Sequence, residues 1–468
     1  MRKKIALIIF ISFFVLILFT GTVYFSLAKY YEDGFSYGTW INGIYCTGKS
    51  VEEVNEELLT QFSVSEIKIS FDDGATEVIA LDNILYSIDY KAELELYREK
   101  QNPNLWILNF WNEKGHRADF LPSMSFDTEK LFYEVEALSA VKQAEKKKNQ
   151  KVEIVKNKNG YSLINEKVHV LDKEKLKEKI KQSLQNGEYY ITVEDDCYVN
   201  LALSKTEEDT VLLWNKVQEF QDCKIRYDMG DTIVPVDSSV VCDWIKLDED
   251  GEFLFDNNGE LVTDETKIVE FIENLAEEYD TVGIDREFQS TRGETVTVSG
   301  GTYGNKINEK VEIAYLTEAF YKKADELHVP EYKQEAYVRG KADIGNTYIE
   351  IDMTDQMMYY YVDGEIYVET PVVTGNTGRR MDTPEGTCFV YNKQKNRVLR
   401  GPNYASFVNF WVPVRGNIGI HDAPWRSEYG GEIYKTNGSH GCVNTPFDAM
   451  EEIYEHVEIG TPVVMFYE

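Results

Sequence analysis

An uncharged apolar run lies near the start of this chain, over residues 5–28, directly after Arg2, Lys3 and Lys4. A helix needs about 20 apolar residues to span a bilayer, and flanking basic residues favour the cytoplasmic side. The run therefore predicts an uncleaved single-pass anchor over residues 1–28, with the rest of the chain outside the cytoplasm. A cleavable signal peptide ending at Ala28 is the alternative, although the apolar core of a signal peptide is typically about 7–15 residues.

The remaining chain has the composition of several packed domains. It has 468 residues in all, 43% of them hydrophobic, and a domain commonly holds about 100–200 residues. The formal net charge of -32 argues against nucleic acid as a partner, because phosphate backbones are bound by clustered Lys and Arg. Five of the six cysteines are interpreted as buried small hydrophobic residues, and disulfide pairing between them stays open.

Changes in sequence pattern divide the chain after the anchor. Residues 29–120 are predicted to form an extracellular, membrane-proximal α+β region. Two α+β modules are predicted over residues 121–204 and 205–339. In each, a short hairpin precedes a helix that begins at an aspartate, Asp172 or Asp264. Hairpin-helix units are common, so a chance likeness between the two modules is the alternative.

Residues 340–468 have a mostly β pattern. The runs Tyr348–Asp352 and Met357–Val362 are rich in β-formers, and Asp363-Gly364 is a strong signal for a two-residue hairpin turn. This region is predicted to be a mostly β domain, and it carries the cluster of residues with the clearest chemistry.

That cluster is Ser439-His440-Gly441-Cys442-Val443-Asn444, with His421 upstream. A thiol near pKa 8.5 needs a base to become a nucleophile at neutral pH, and an imidazole partner can lower its pKa. His421 is the predicted base for Cys442. His440 is predicted to reach the same site, because residues i and i+2 of a strand share a face.

The same motif supplies candidate groups for stabilising an oxyanion. The N–H groups of Gly441 and Cys442 are predicted to form an oxyanion hole, since glycine lets a substrate carbonyl approach the backbone closely. Asn444 is predicted to fix the loop by a hydrogen bond. The spacing therefore favours a cysteine acyl-transfer site.

The cluster has three other interpretations. A His-Gly-Cys sequence can be purely structural. His421, His440 and Cys442 could bind zinc, but no carboxylate or second cysteine at metal-motif spacing supports a metal site. A papain-like protease is disfavoured, because the Cys-Gly-Ser-Cys-Trp pattern is absent and the histidine precedes the cysteine.

The motif resembles the signature of the L,D-transpeptidases of bacterial cell walls. His421 is followed after seventeen residues by the motif that begins at Ser439, and Thr383-Pro384-Glu385-Gly386 resembles the Thr-Pro-x-Gly turn of the family. Gly375 and the strand before it fit the same template. The upstream modules resemble the peptidoglycan-binding domains that accompany such enzymes in Gram-positive bacteria, and the layout is similar to that of enterococcal members.

The resemblance implies a β-sandwich catalytic domain and a role for each matching residue. Cys442 would be the nucleophile, and His421 would be the base, held by the backbone carbonyl of Asp422. His440 and the amides around Gly441 would stabilise the oxyanion, with Ser439 and Asn444 orienting the loop. No metal or organic cofactor would be required.

The resemblance also implies a reaction and partners. The donor would be a peptidoglycan tetrapeptide stem that loses D-Ala, the acceptor an amine of a neighbouring stem, and the product a 3→3 cross-link. A covalent carbapenem adduct is expected. An L,D-carboxypeptidase, in which water replaces the amine, and a non-catalytic wall-binding scaffold are the alternatives.

The segment between the two histidine motifs is a further candidate for substrate binding. A loop of this composition could form a lid or a wall for the stem peptide, or could be an ordinary surface loop. Its candidate substrate-binding residues are Trp425, Tyr429, Gly430 and Gly431.

Overall fold

The computed structural model describes residues 2–111, 116–401 and 404–468. They form two compact units: residues 1–153 with 163–211, and residues 154–162 with 212–468. The chain therefore contributes a short hairpin to the second unit before it completes the first.

The α-helices are, in chain order, α1 (Arg2–Asp33), α2 (Val51–Gln61), α3 (Lys91–Glu99), α4 (Thr128–Ala137), α5 (Ser139–Lys148), α6 (Lys173–Gln185), α7 (Lys205–Phe220), α8 (Ser238–Val241), α9 (Glu265–Tyr279), α10 (Glu309–Tyr321), α11 (Ile433–Asn437) and α12 (Phe447–His456). Short 3₁₀ helices cover Leu81–Asn83, Pro103–Trp111, Asp195–Cys197, Cys242–Trp244 and Thr377–Arg379.

The strands before residue 340 are β1 (Thr39–Ile41), β2 (Ile44–Tyr45), β3 (Glu66–Ser70), β4 (Thr76–Ala80), β5 (Leu85–Asp89), β6 (His116–Ala118), β7 (Ser123–Phe126), β8 (Glu153–Asn157), β9 (Gly160–Ile164), β10 (Val170–Leu171), β11 (Tyr190–Thr192), β12 (Tyr198–Val199), β13 (Lys224–Asp228), β14 (Ile233–Val236), β15 (Arg286–Gln289), β16 (Thr295–Val298), β17 (Lys306–Ile307), β18 (Asp325–His328) and β19 (Tyr332–Gln334). The later strands are β20 (Tyr348–Asp352), β21 (Met357–Val362), β22 (Glu365–Pro371), β23 (Gly386–Phe389), β24 (Gln394–Gly401), β25 (Tyr404–Arg415), β26 (Ile418–Asp422), β27 (Val443–Thr445) and β28 (Pro462–Phe466).

The first unit begins with α1, a helix of 32 residues. Within the described residues, α1 is the one helix long and apolar enough to cross a membrane, judged by length and composition. The remainder of the unit is α+β. Helices α4, α5 and α6 pack on the sheet β11-β3-β4 through a core that includes Leu131, Val141 and Ile180 from the helices and Ile67 and Ile191 from the strands.

The second unit contains an α+β module built on the sheet β14-β13-β18, against which α7, α9 and α10 pack. Its helix α9 begins at Asp264, whose Oδ1 accepts from the backbone N of Thr266 at 3.1 Å. In the first unit, α6 begins at Asp172 in the same way. Both aspartate caps are where the sequence pattern predicted them.

The hairpin β8–β9 joins the core of this second module. Ile154 and Tyr161 pack against it, and the ring of Tyr161 lies 5.2 Å from that of Phe253. The side chain of Gln221 bonds both backbone groups of Tyr161, accepting from its N at 3.1 Å and donating to its O at 2.9 Å. The hairpin is therefore held by apolar packing and by a buried amide.

The hairpin β15–β16 connects the module to the C-terminal domain. Phe288 and Val298 pack on Val464 and Phe466 of β28. At the hairpin turn, Arg292 Nη1 lies 3.4, 2.9 and 2.9 Å from carboxylate oxygens of three acidic residues of the C-terminal domain. Those residues are Asp352, Asp355 and Glu468.

The C-terminal domain is a sandwich of two sheets, with strand orders β22-β21-β20-β28-β23 and β24-β25-β26-β27. The two sheets and α12 share one core, in which Ile351, Met465, Val412, Ile420 and Met450 are buried. The predicted turn Asp363-Gly364 joins β21 to β22, and both residues have positive φ, 51° and 87°. The predicted fold class, α+β modules before a mostly β catalytic sandwich, is confirmed; the domain borders stay predictions.

Candidate active site

The parallel pairing of β26 with β27 creates the site. The register places Ile420 beside Val443 and His421 beside Asn444. Ile420 and Val443 point into the core, so the alternation of a strand turns His421 and Asn444 to the other face. Cys442 lies immediately before β27, which brings the thiol close to the edge where His421 is held.

The backbone before Cys442 is a bend. Gly441 has φ +109°, a conformation that side chains rarely adopt. The Gly441 N–H donates to Ser439 Oγ at 3.0 Å, and that hydroxyl donates to the carbonyl of Cys442. In this conformation the Gly441 N–H is therefore hydrogen-bonded to Ser439, and a role for it in an oxyanion hole stays a prediction.

The Cys442 side chain is half-buried, and its thiol donates to the backbone carbonyl of Asn417 at 3.7 Å. Burial raises the pKa of the Cys442 thiol to about 11. The lowered thiol pKa expected of an imidazole pair is therefore not present, and at neutral pH the residue is a thiol. The other five cysteines, all within the described residues, are free and buried.

His421 is buried, and both of its ring nitrogens have partners. Nδ1 lies 2.7 Å from the backbone carbonyl of Asp422, and Nε2 lies 3.2 Å from Asn444 Nδ2. Burial lowers the pKa of His421, against the weaker opposing effect of the Asp422 carbonyl, so the ring is neutral at pH 7. The rings of Trp411 and Trp425 lie 5.7 and 5.9 Å away.

The hydrogen bonds of Asn444 determine which nitrogen of His421 carries the proton. Arg426 Nε lies 2.8 Å from Asn444 Oδ1, and a guanidinium can only donate, so the amide oxygen must face it. The Asn444 amino group then faces His421, and it too can only donate. His421 Nε2 is therefore the acceptor, and Nδ1–H donates to Asp422. The unprotonated nitrogen of the ring is Nε2, and in this conformation it accepts from the Asn444 amide.

Asp422 supports the site with its side chain as well as with its carbonyl. Its buried carboxylate accepts from the backbone N–H groups of Asn409 and Phe410, both at 2.8 Å, and from Asn409 Nδ2 at 2.7 Å. These bonds lock β26 to β25. Arg426 and Asn409 are the supporting residues for which the sequence suggested no role, because their partners are distant in the chain.

The Thr-Pro-x-Gly turn contacts the nucleophile loop directly. Thr383 Oγ1 accepts from the Gly375 N–H at 2.9 Å and donates to the Gly441 carbonyl at 2.8 Å. A Cβ on Gly375 would lie 2.0 Å from the Met381 carbonyl oxygen, so this close crossing requires glycine. The two motifs recognised in the sequence are thus joined by one hydroxyl.

His440 is exposed, and the prediction that it shares a strand face with Cys442 is wrong. Residues 440–442 form a bend and β27 begins at Val443, so His440 and Cys442 do not share a strand face. A role for His440 in catalysis stays a prediction.

The segment after His421 is held against the domain. Tyr429 OH donates to the Ala423 carbonyl at 3.1 Å, and the Gly430 N–H donates to the Val372 carbonyl at 2.9 Å. Gly430 and Gly431 have φ of +81° and +59°. Trp425 is 51% exposed beside His421. The anchored backbone and exposed indole suit a fixed wall next to the thiol.

The described residues include no group of three or more His, Cys, Asp and Glu side chains placed to hold a metal ion. Both nitrogens of His421 are engaged by the Asp422 carbonyl and the Asn444 amide, which is the arrangement of an oriented base.

A half-buried cysteine at the start of β27 and a neutral, oriented histidine on the neighbouring strand β26 are the residue types that cysteine acyl transfer requires. Residues 346–465 match the family model of the L,D-transpeptidase catalytic domain, and residues 252–327 match that of a candidate peptidoglycan binding domain. None of the curated proteins compared with the chain matches it.

Solved structures give further matches. An Enterococcus faecium L,D-transpeptidase crystal structure is 33% identical, with coverage of 54% of this chain and 99% of that one and a TM-score of 0.47. The E. faecium catalytic domain acylated by ertapenem is 45% identical over 26% and 98% of the chains, with a TM-score of 0.25. A Mycobacterium smegmatis L,D-transpeptidase is 27% identical over 26% and 58%, with a TM-score of 0.23. Because the chain is 33% identical to the first of these proteins and covers 99% of its length, it belongs to the L,D-transpeptidase family.

Proposed function

We propose that this protein is a membrane-anchored, cysteine-dependent L,D-transpeptidase that forms 3→3 cross-links in peptidoglycan outside the cell. The observation that carries the proposal is the hydrogen-bonded chain from Arg426 through Asn444 to His421. It puts the ring proton on Nδ1 and leaves Nε2 unprotonated, with the Asn444 amide as its donor in this conformation. A neutral thiol and a neutral base suit a mechanism in which proton transfer accompanies attack.

In the acylation step, the thiol turns from Asn417 toward His421, replaces the Asn444 amide as the partner of Nε2, and gives its proton to that nitrogen. Sγ forms a bond to the carbonyl carbon of the third stem residue, and the bond from that carbon to the nitrogen of D-Ala breaks. The leaving amine takes the proton from His421. The products are a thioester on Cys442 and free D-Ala.

In the second step, the acceptor amine attacks the thioester carbonyl while His421 accepts a proton from the amine. The new amide bond is the cross-link, and the Cys442 sulfur leaves and recovers its proton. His440 and the Cys442 N–H are the groups we assign to the oxyanion in both steps, and Trp425 to contact with the stem peptide.

α1 supports the proposed location, since it would hold the chain in the cell membrane with both units on the wall side. The candidate binding domain at residues 252–327 would keep the catalytic domain near peptidoglycan.

The test is intact-protein mass spectrometry after incubation with ertapenem. We expect one covalent adduct on the parent protein and on Cys223→Ala, and none on Cys442→Ala. Cys223 is buried in the core of the α+β module that contains β13. Binding to isolated cell walls should be the same for all three. An adduct that persists on Cys442→Ala would contradict the assignment of the nucleophile.

Product analysis separates the cross-linking reaction from hydrolysis. The parent is incubated with a tetrapeptide stem, with and without an acceptor stem, and D-Ala and dimers are measured. Dimers that appear only with the acceptor support transpeptidation. Release of D-Ala without dimers would instead indicate an L,D-carboxypeptidase.

A further inference from the structure

An uncharged stretch of the first unit, residues 101–111, contains a 3₁₀ helix that packs beside α1. We call the 3₁₀ helix, Pro103–Trp111, the interfacial segment. Its sequence is Pro-Asn-Leu-Trp-Ile-Leu-Asn-Phe-Trp, so six of its nine residues are large and apolar. Such a composition in an extracellular region needs an apolar partner.

One side of the interfacial segment finds that partner on α1. The Trp106 ring is buried, 5.8 and 5.9 Å from the rings of Tyr24 and Tyr31. Trp106 Nε1 donates to the Tyr24 carbonyl at 3.2 Å, and Tyr24 OH donates to the Asn104 carbonyl. Ala28 is buried in the same cluster. Cleavage after Ala28 would remove much of this packing, which favours retention of α1.

The other side is exposed. Leu105, Leu108 and Trp111 project outward, and Trp111 is 73% exposed. Phe110 is also more than half exposed, although one side of its ring stacks on Tyr37 at 4.1 Å. Exposing large apolar side chains to water forgoes the stabilisation of burying them, so four of them together mark a contact surface.

Distance along α1 gives the depth of that surface. Lys29 is the first charged residue after the apolar run, and Tyr24 precedes it by five residues. At about 1.5 Å per residue, the Trp106 contact reaches from Tyr24, roughly 7–8 Å below Lys29 along the helix, to Tyr31, about 3 Å above it. A groove of about 490 Å³ between α1 and the segment extends to Ile17 and is lined by apolar residues that include Val23 and Ile107.

We propose that the interfacial segment is a second membrane contact, which inserts Leu105, Leu108, Phe110 and Trp111 into the outer leaflet beside α1. The partner is the lipid of the bilayer itself, because the segment continues the apolar surface of α1 at the depth where Trp and Tyr accumulate in membrane proteins. This inference rests on the proposed anchoring by α1 and is independent of the acyl-transfer reaction. It fixes the first unit against the membrane, whereas a single helix alone would let it swing.

The experiment places the full chain in phosphatidylcholine–phosphatidylglycerol vesicles. Flotation on a density gradient reports anchoring by α1. Quenching of tryptophan fluorescence by lipids brominated on the acyl chains reports insertion, and Trp111→Phe is compared with Trp425→Phe. Trp425 is the matched control, since it is also exposed but lies at the catalytic site. Both replacements keep an apolar aromatic side chain, so loss of folding is not expected.

The expected result is flotation of all three proteins and a quenchable fraction that falls by about half in Trp111→Phe, since Trp106 remains, but not in Trp425→Phe. Flotation with equal quenching in the parent and Trp111→Phe would overturn the lipid contact and leave the anchor standing. Such a result would instead suit a protein partner for this surface. Failure to float would overturn both the anchor and the lipid contact, while carbapenem acylation of Cys442 would be unaffected.

Discussion

In the proposed reaction, the reactivity of the site depends on one ring nitrogen of His421. His421 Nε2 is basic because the ring proton is on Nδ1, and that tautomer follows from the donors on Arg426 and Asn444. Arg426 does not need to touch the substrate to act, because it orients the amide that orients the base. It is a positioning residue.

Asn444→Asp reverses this arrangement. A carboxylate only accepts hydrogen bonds, so it would favour a proton on Nε2, and its negative charge would raise the pKa of His421. We expect acylation by ertapenem to slow by about 10²–10⁴-fold, the usual contribution of a general base. Because His421 would lose its proton only at higher pH, the rise of the rate with pH should also move upward.

The measurement is the acylation rate from pH 5 to pH 9. Asn257→Asp is the matched control, since this exposed residue of the same unit undergoes the same chemical change in the module that precedes the catalytic domain. An unshifted pH profile in Asn444→Asp, with only a lower rate, would mean that Asn444 is merely structural.

For single residues, the sequence indicated which side chains form the candidate site, but it did not predict most of their hydrogen bonds or their burial. Cys442, His421 and the Asp422 carbonyl were predicted from motif spacing and family resemblance, and His421 Nδ1 does face that carbonyl. The commitment of the Gly441 N–H to Ser439 was not predictable, because it depends on a bend that the motif does not specify. The raised thiol pKa was missed for the same reason, since burial is a property of the folded domain.

Among the elements, the hairpin β15–β16 makes contacts well beyond its own module. Its turn brings Arg292 to three carboxylates of the catalytic domain, and Thr291 donates twice to the buried carboxylate of Glu350, at 2.9 Å and 2.7 Å. Burial raises the pKa of Glu350, which indicates how little solvent reaches this contact. The hairpin therefore contributes to the stability of the domain that carries Cys442.

Arg292→Ala would leave Asp352 and Glu468, which are both buried, without their cation. Breaking a fully buried ion pair costs about 3–5 kcal/mol, and we expect about 1–3 kcal/mol here because Arg292 is partly exposed. The measurement is the urea midpoint of the second unit. Arg226→Ala is the control: its pair with Asp325 at 3.2 Å is exposed, so its loss should cost at most about 1 kcal/mol. Equal midpoints for the two variants would contradict this role.

Local signals predicted elements well, and long-range docking poorly. Asp363-Gly364 specified a hairpin because a tight turn requires two residues of positive φ, and both have it. Nothing within β15–β16 indicates that Phe288 will meet Phe466, nearly the whole catalytic domain later in the sequence. The acidic caps Asp172 and Asp264 were readable because a cap bonds its own first turn.

For the whole molecule, the path of the chain alternates between two units. The hairpin β8–β9 was assigned from sequence to the module at residues 121–204, together with α6, yet residues 154–162 belong to the second unit. Sequence proximity favoured that grouping, whereas the side chains of Gln221, Ser238 and Phe253 hold the hairpin. The hairpin therefore belongs to the second unit, although the chain directly before and after it belongs to the first.

Tyr161→Ala tests this arrangement. Tyr161 precedes α6 in sequence, but its ring packs on Phe253, so truncation should destabilise the second unit by about 2–3 kcal/mol, somewhat below the cost for a fully buried aromatic side chain. Hydrogen exchange followed by mass spectrometry should show faster exchange in β13 and α9, with little change in β3 and β4. Tyr133→Ala, at an exposed tyrosine of the first unit, is the control and should change neither. Faster exchange confined to the first unit would contradict this prediction. It would mean that the hairpin stabilises the module nearest to it in sequence and does not contribute to the stability of the second unit.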